Sequence, residues 1–339
     1  MNLLRRFATA ALVALMLASL TLPNAHAVTI EWVTVADPGN TADTTTYGAV
    51  ADAFQIMKFE FTNSQYTDFL NAVDPNGTNP NSVYNTDMGD NARGGISFTS
   101  GAASGSKYVL KTNMGDKPVN FVSWFDAARV SNWLQNGQGP GSTETGAYTL
   151  VGGQTSGTAP AANPGASYLL PTEDQWYKAA YYKGGSTNAG YWSFATQSDS
   201  VPAAVSSGST GIGSAGIGST ANFANYDNEA DWNSLNGNVT TVGTNGRPSA
   251  YGGVDLNGNV WEWNDGGGTA GNRVLRGGSY VSLAVLLKST FRSADREPGD
   301  EDADIGFRLA AVPEPSTCAL ALAGLACGGY SMWRRRKRA

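Results

Sequence analysis

The sequence predicts a single α+β domain, irregular and loop-rich, with few short helices and strands. Three observations lead there. Glycine supplies 42 of the 339 residues, much of it in Gly/Ser/Ala-rich runs such as 152–166 and 206–221 that read as surface loops. Only three segments carry an apolar period of helical type. No second hydrophobic core and no long repeat divides the chain.

Each helical segment has its own start signal. In "TNSQYTDFLNAV" (62–73), Thr62 or Asn63 caps a stripe of Tyr66, Phe69, Leu70 and Val73. In "SWFDAARVSNWLQNG" (123–137), Ser123 and Asp126 take cap positions. Ala127, Val130, Trp133 and Leu134 follow on one stripe, and Gly137 is the stop. In "PTEDQWYKAAYYKGG" (171–185), Thr172 and Gln175 form a capping box. Trp176, Ala179 and Ala180 face inward, and Gly184 ends the helix.

The two ends are of another kind. Residues 1–27 join Arg5 and Arg6 to an apolar run, Phe7 to Leu22, and a small-x-small site, Ala25-His26-Ala27. That is the pattern of a cleaved secretory signal peptide. At the other end Pro313, Glu314 and Pro315 precede an apolar stretch, Thr317 to Trp333, and a basic cluster, Arg334 to Arg338. The stretch is barely long enough to span a bilayer, and the basic cluster should hold its end in the cytoplasm. Residues 313–339 resemble the PEP-CTERM sorting signal of exopolysaccharide-producing Gram-negative bacteria. That resemblance implies an exosortase-type protease as partner, transient inner-membrane anchoring by 317–333, and delivery to the cell surface. A plain membrane anchor is the alternative. The expected exported domain is residues 28–312.

Composition then excludes whole classes of function. The chain holds 22 basic and 28 acidic residues, of which seven and one lie in the end segments; 15 and 27 remain, a net charge of −12. Such a surface repels nucleic acid and anionic lipid, and suits cations and neutral sugars. The cysteines, Cys318 and Cys327, and the one histidine, His26, all lie in the end segments. The exported part therefore has no thiol nucleophile, disulfide, His-ligated transition metal or Ser-His-Asp triad. Its core alone must hold it together.

One acid is conspicuous. In "DLNGNVWEWND" (255–265) Glu262 stands between Trp261 and Trp263. It reads as an ion ligand, as a carboxylate pinned by backbone amides, or as a catalytic acid. A general acid needs a partner and a cleft, and the sequence shows neither.

Six segments in order, "KFEFTNSQYTDFLNAV", "KPVNFVSWFDAARVSNWL", "LLPTEDQWYKAAYYKGG", "GGVDLNGNVWEWND", "RVLRGGSY" and "IGFRLA", resemble the signatures of the formylglycine-generating enzyme, or sulfatase-modifying factor, family. The match runs from about Phe54 to Arg308. It implies that family's C-type lectin-like fold. It also implies structural calcium. Asp255 and Glu262 would give side-chain oxygens and Gly258 and Val260 carbonyls, a hard-oxygen set of the kind calcium takes. A second ion would begin at Asn225 and the Tyr226 carbonyl, with further ligands near Asn236 to Val239. The family's two copper cysteines fall on Ser282 and on Leu286 or Leu287, which cannot hold Cu(I). The three-histidine iron of other relatives has no counterpart. The resemblance thus implies a family member with calcium but neither copper nor iron, a pseudoenzyme.

Arg276, Arg292, Arg296 and Arg308 lie in or beside these motifs. They read as carboxylate-paired loop fasteners, or, for Arg276, Arg292 and Arg296, as the lining of a ligand groove. The acidic run 296–304 reads as a solvated loop. Three functions stay open: a non-catalytic surface domain binding extracellular polysaccharide or a surface protein, an enzyme of unrecognised chemistry, or a structural matrix component.

Overall fold

The computed structural model describes residues 27–312. The signal-type segment and the sorting segment lie outside them. Among the described residues no helix is long and apolar enough to cross a membrane.

The three expected helices form where their caps put them. Helix α1 is Asn63–Val73, capped by Thr62 with Gln65 closing a capping box. After a one-turn helix α2, Asp87–Asp90, comes α3, Trp124–Gln135, capped by Ser123 with Asp126. Helix α4, Glu173–Tyr181, is capped by Thr172 with Gln175. Gly137 ends α3 as expected: at φ +84° it lets Gln138 N–H reach the Trp133 carbonyl and its own N–H the Leu134 carbonyl. Gly184 does not end α4, which stops at Tyr181; it serves the turn beyond at φ +73°.

The strands are short and pair far along the chain. One sheet takes the order β1 (Trp32–Val35), β2 (Phe54–Met57), β12 (Ala310–Ala311), β5 (Tyr168–Leu169). A second takes the order β10 (Ser293–Arg296), β9 (Arg273–Arg276), β8 (Trp261–Gly267), β11 (Ile305–Phe307). Two small pairs complete the set, β3 (Ile96–Phe98) with β4 (Tyr108–Leu110) and β6 (Ala203–Ala204) with β7 (Phe223–Ala224). The main core joins Tyr66, Phe69, Trp124 and Trp133 from the helices to Trp261, Trp263, Ile305 and Phe307 from the second sheet. Ala179 of α4 covers Val35, Phe54, Ile56 and Ala310 on one face of the first sheet.

Every residue of α3 except Gln135 is buried, so its polar side chains need internal partners. Arg129 donates to Glu144, and Asn132 binds Thr143 and Tyr148. The start of α3 is fastened to loop 296–304, which is therefore not a freely solvated loop. Trp124 N–H donates to the Pro298 carbonyl at 2.9 Å and Phe121 N–H to that of Asp302 at 3.0 Å. Glu301 lies against Asp126 and accepts from Asn85. Burial, then the Asp126 charge, pushes the Glu301 carboxyl from about 4.5 up to about 8. The folded chain thus binds a proton more tightly than the unfolded one. The resulting stability is complete below about 4.5 and is lost as pH rises through about 8. The wild-type melting temperature should fall between pH 6 and 9, and Glu301→Gln, which cannot ionise, should flatten that fall. Parallel curves for the two proteins would refute the fastening role.

Candidate functional site

The segment 255–262 enters the interior through a turn that needs glycine. Gly258 has φ +82°, and a Cβ there would sit 2.0 Å from the Asn225 carbonyl oxygen. Asn225 and Gly258 form a bridge, and Asn259 N–H donates to the Asn225 carbonyl at 2.8 Å. The two segments expected to hold calcium therefore touch. Strand β8 then carries Trp261, Glu262 and Trp263 into the middle of the second sheet. Glu262 lies between Arg276 of β9 and Gly306 of β11, and all three are buried.

Glu262 is held by an arginine. Arg308 Nε donates to Oε2 at 2.7 Å and Nη2 to Oε1 at 2.6 Å. Trp176 Nε1 of α4 adds a third bond to Oε2 at 2.7 Å. The rest of the guanidinium donates to the carbonyls of Met57, Lys58 and Val254. The arginine thus ties β2, the loop at 254 and β8 together in a bidentate, charge-assisted pair. Two further carboxyl groups face it. Glu60 accepts from Asn259 Nδ2 at 2.8 Å and from Val260 N–H at 3.3 Å. Asp255 accepts from Asn245 Nδ2 at 3.0 Å and from Gly243 N–H. Burial, then the charges of Asp255 and Glu262, holds Glu60 well above the usual carboxylate range. Burial pushes Asp255 up to about 6. Three acids thus surround one guanidinium, and burial beside the other two carboxylates favours the neutral form of Glu60.

This donor set fits calcium poorly at Glu262. Both of its oxygens are already engaged, one of them twice, and the guanidinium fills the place a cation would take. Both Asp255 oxygens are engaged as well. No three His, Cys, Asp or Glu side chains among the described residues are placed to hold a metal ion. Asn225 differs. Its Nδ2 donates to the Asn238 carbonyl, Thr240 and Asn259, while its Oδ1 is buried without a hydrogen-bond partner. That one oxygen fits a cation. Tyr226 follows it in a chain turn, its carbonyl accepting only a long bond from Glu229 N–H at 3.4 Å.

The expected reactive positions are packed. Ser282 Oγ accepts from Ser279 N–H at 2.9 Å and lies 3.2 Å from Ser279 Oγ, which itself donates to Asp304. Leu287 is fully buried and Leu286 partly so. Around them Val281, Leu283 and Val285 are exposed by 40%, 61% and 55%, so this segment presents an apolar ridge. The expected groove arginines do not gather at one surface. Arg276 and Arg292 both bind Glu173, the first residue of α4, and both lie over the Tyr47 ring. Arg276 Nη1 is spent on the Ser289 and Phe291 carbonyls. Arg296 pairs elsewhere, with Asp302 at 2.8 Å. The arginines are loop fasteners.

A family profile, the sulfatase-modifying factor enzyme 1-like domain, matches residues 29–312. The chain belongs to that family. A second profile, the PEP-CTERM protein-sorting motif, matches residues 311–337, which marks an exported, envelope-associated protein processed by an exosortase-type system. Among solved structures, CarF is similar at 22% identity and a TM-score of 0.54, over 84% of this chain and 99% of that one. The Treponema denticola variable protein 1 is similar at 19% and 0.49, over 85% and 97%. PvdO from Pseudomonas aeruginosa is similar at 16% and 0.39, over 84% and 92%. The likeness to CarF speaks to the fold alone. No curated protein matches the chain.

Residues 255 and 262 were legible in the sequence; Glu60, Asn259 and Trp176 were not, because they stand 86 to 200 positions from their partners. The positive φ of Asp255 and Asn259, near +60°, suits the Asx-Gly turn chemistry that was legible.

Arg308→Met should strand the buried Glu262 charge, at a cost of about 3–5 kcal/mol. The melting temperature should then drop by about 10 °C, whereas Arg308→Met with Glu262→Leu should recover much of it. If calcium is held at Asn225 Oδ1 and not at Glu262, a calcium chelator should lower the melts of the wild type and Glu262→Gln alike. A chelator effect confined to the wild type would put the ion on Glu262. An unchanged wild-type melt would remove calcium from the protein.

Proposed function

We propose that this sulfatase-modifying factor domain is an exported, non-catalytic surface module that binds a glycan or a surface protein. The observation that carries the reading is the packing of positions 282, 286 and 287. A hydroxyl held by Ser279 and two isobutyl groups stand where the resemblance puts the copper thiolates, and neither residue type is a soft ligand. The acid balance of the exported part fits a neutral or cationic ligand better than an anionic one. A structural calcium on the Asn225 side of the buried network belongs to this reading, supported by the Asn225 Oδ1, which is buried without a hydrogen-bond partner.

One measurement tests its non-catalytic part. The protein supplied with copper should leave a sulfatase-type cysteine peptide unchanged by mass, and aldehyde formation would sink the non-catalytic reading.

Sorting is tested separately. Removing residues 313–339 should release the protein to the medium, while replacing Pro313 and Pro315 by Ala should leave the full-length chain in the inner membrane. Normal surface delivery of both variants would discard the sorting role of the tail.

A further inference from the structure

The first sheet has one face covered by α4 and the other only partly covered, with Met57 buried in the main core and the row beside it open. Val35, Phe54, Ile56 and Ala310 point to the side that α4 covers. Alternation along the strands sends their neighbours to the other side. The register then aligns Thr34 with Gln55, Gln55 with Ala311, and Ala311 with Tyr168, and Trp32 lies two residues from Thr34 on the same face. The end of α3 rises beside this row. The result is a half-open groove of about 510 Å³ lined by Trp32, Gln55, Gln135, Ser167, Tyr168 and Val312, among others. That volume lies within the range of roughly 300–1,000 Å³ typical of ligand pockets.

Its chemistry is specific. Among the described residues no charged side chain lines it, on an exported part whose net charge is −12. Trp32 and Tyr168 are half-buried, with ring centroids 6.0 Å apart and planes tilted by 32°. Gln135 Oε1 accepts from Ser167 N–H at 2.8 Å, which fixes the amide and leaves its Nε2 for another acceptor. The Gln55 amide, the Trp32 indole N–H and the Tyr168 hydroxyl have no partner among the described residues. Two ring faces attract the polarised C–H groups of an apolar ligand face, and uncharged amides and hydroxyls match ligand hydroxyls as donors and acceptors. A pyranose offers both surfaces at once. A peptide would dock differently, by pairing its backbone with a strand edge. Here the opening lies over the face of a sheet, where only side chains reach.

We propose that this groove is a binding site for a neutral saccharide, with the Trp32 and Tyr168 rings as the stacking platform and Gln55 and Gln135 reading its hydroxyls. The proposal rests on the surface-binding reading above and gives it a place and a ligand class. It lies apart from the packed segment around Ser282. Trp32 also packs on the main core, so two variants are needed. Gln55 makes no side-chain bond that folding depends on.

The test is affinity electrophoresis of the full chain, in a non-ionic detergent, through gels containing dextran, mannan, hydroxyethyl cellulose or alginate. Retardation is expected in at least one neutral gel and not in alginate. Trp32→Ala should weaken it about tenfold or more, and Gln55→Ala severalfold with an unchanged melting temperature. No retardation in any neutral gel, or retardation in alginate alone, overturns the proposal. Retardation that neither variant changes also overturns it, while leaving the surface-binding reading standing. Aldehyde formation in the peptide assay removes that reading itself.

Discussion

The pairing of Glu262 with Arg308 is the constraint on which the rest of this domain hangs. Both side chains are fully buried, with bonds of 2.6 and 2.7 Å between them. Taking the two ions out of water costs several kcal/mol each, and their attraction offsets this only when every remaining proton and lone pair is met. That condition explains the company they keep. Trp176 supplies the carboxylate's third donor, and three backbone carbonyls take the remaining guanidinium protons. The partners come from α4, β2, β8 and the loop at 254, so meeting the condition is the same act as assembling the fold. The pair contributes specificity of assembly more than net stability, because an apolar pair of similar volume would avoid the desolvation.

This also accounts for what was legible beforehand. Helices were, because capping is local: Thr62 and Gln65, Ser123 and Asp126, Thr172 and Gln175 each lie three residues apart. The strands were not, because most run for two to four residues and pair across long separations, too short for alternation to declare itself. The importance of Glu262 showed in its tryptophan flanks. Its partner did not, since Arg308 lies 46 residues away in a segment whose other arginines have different partners. The run 296–304 was misread as solvated loop because its composition is acidic, while its function in the fold rests on two backbone carbonyls and one carboxyl against α3. Composition reports charge; it does not report which carbonyls face inward.

The family match rests on the scaffold. The motifs that survive are those that build the interior: the turn at Gly258, the strand at 261–263 and the arginine at 308. Positions 282, 286 and 287, where the resemblance places the family's copper cysteines, make no side-chain bond to the ion pair or its partners. Soft-metal ligands need exposure to substrate and deprotonation. Ser282 in its bonds to Ser279 and Leu287 in full burial serve packing instead.

The buried pair and the open groove are mechanically connected through one strand. Arg308 grips β2 at the carbonyls of Met57 and Lys58, immediately after the residues that alternate across it. Ile56 points to α4, which also delivers Trp176 to Glu262, and Gln55 points to the groove. Arg308 itself follows β11 and precedes β12, whose Ala311 separates Gln55 from Tyr168. The groove floor is therefore built on β2, which the guanidinium bonds at its end, and on β12, which follows Arg308 in the chain. The ion pair thus anchors the end of the strand that carries Gln55, and side chains already held in place have less freedom to lose when a ligand arrives.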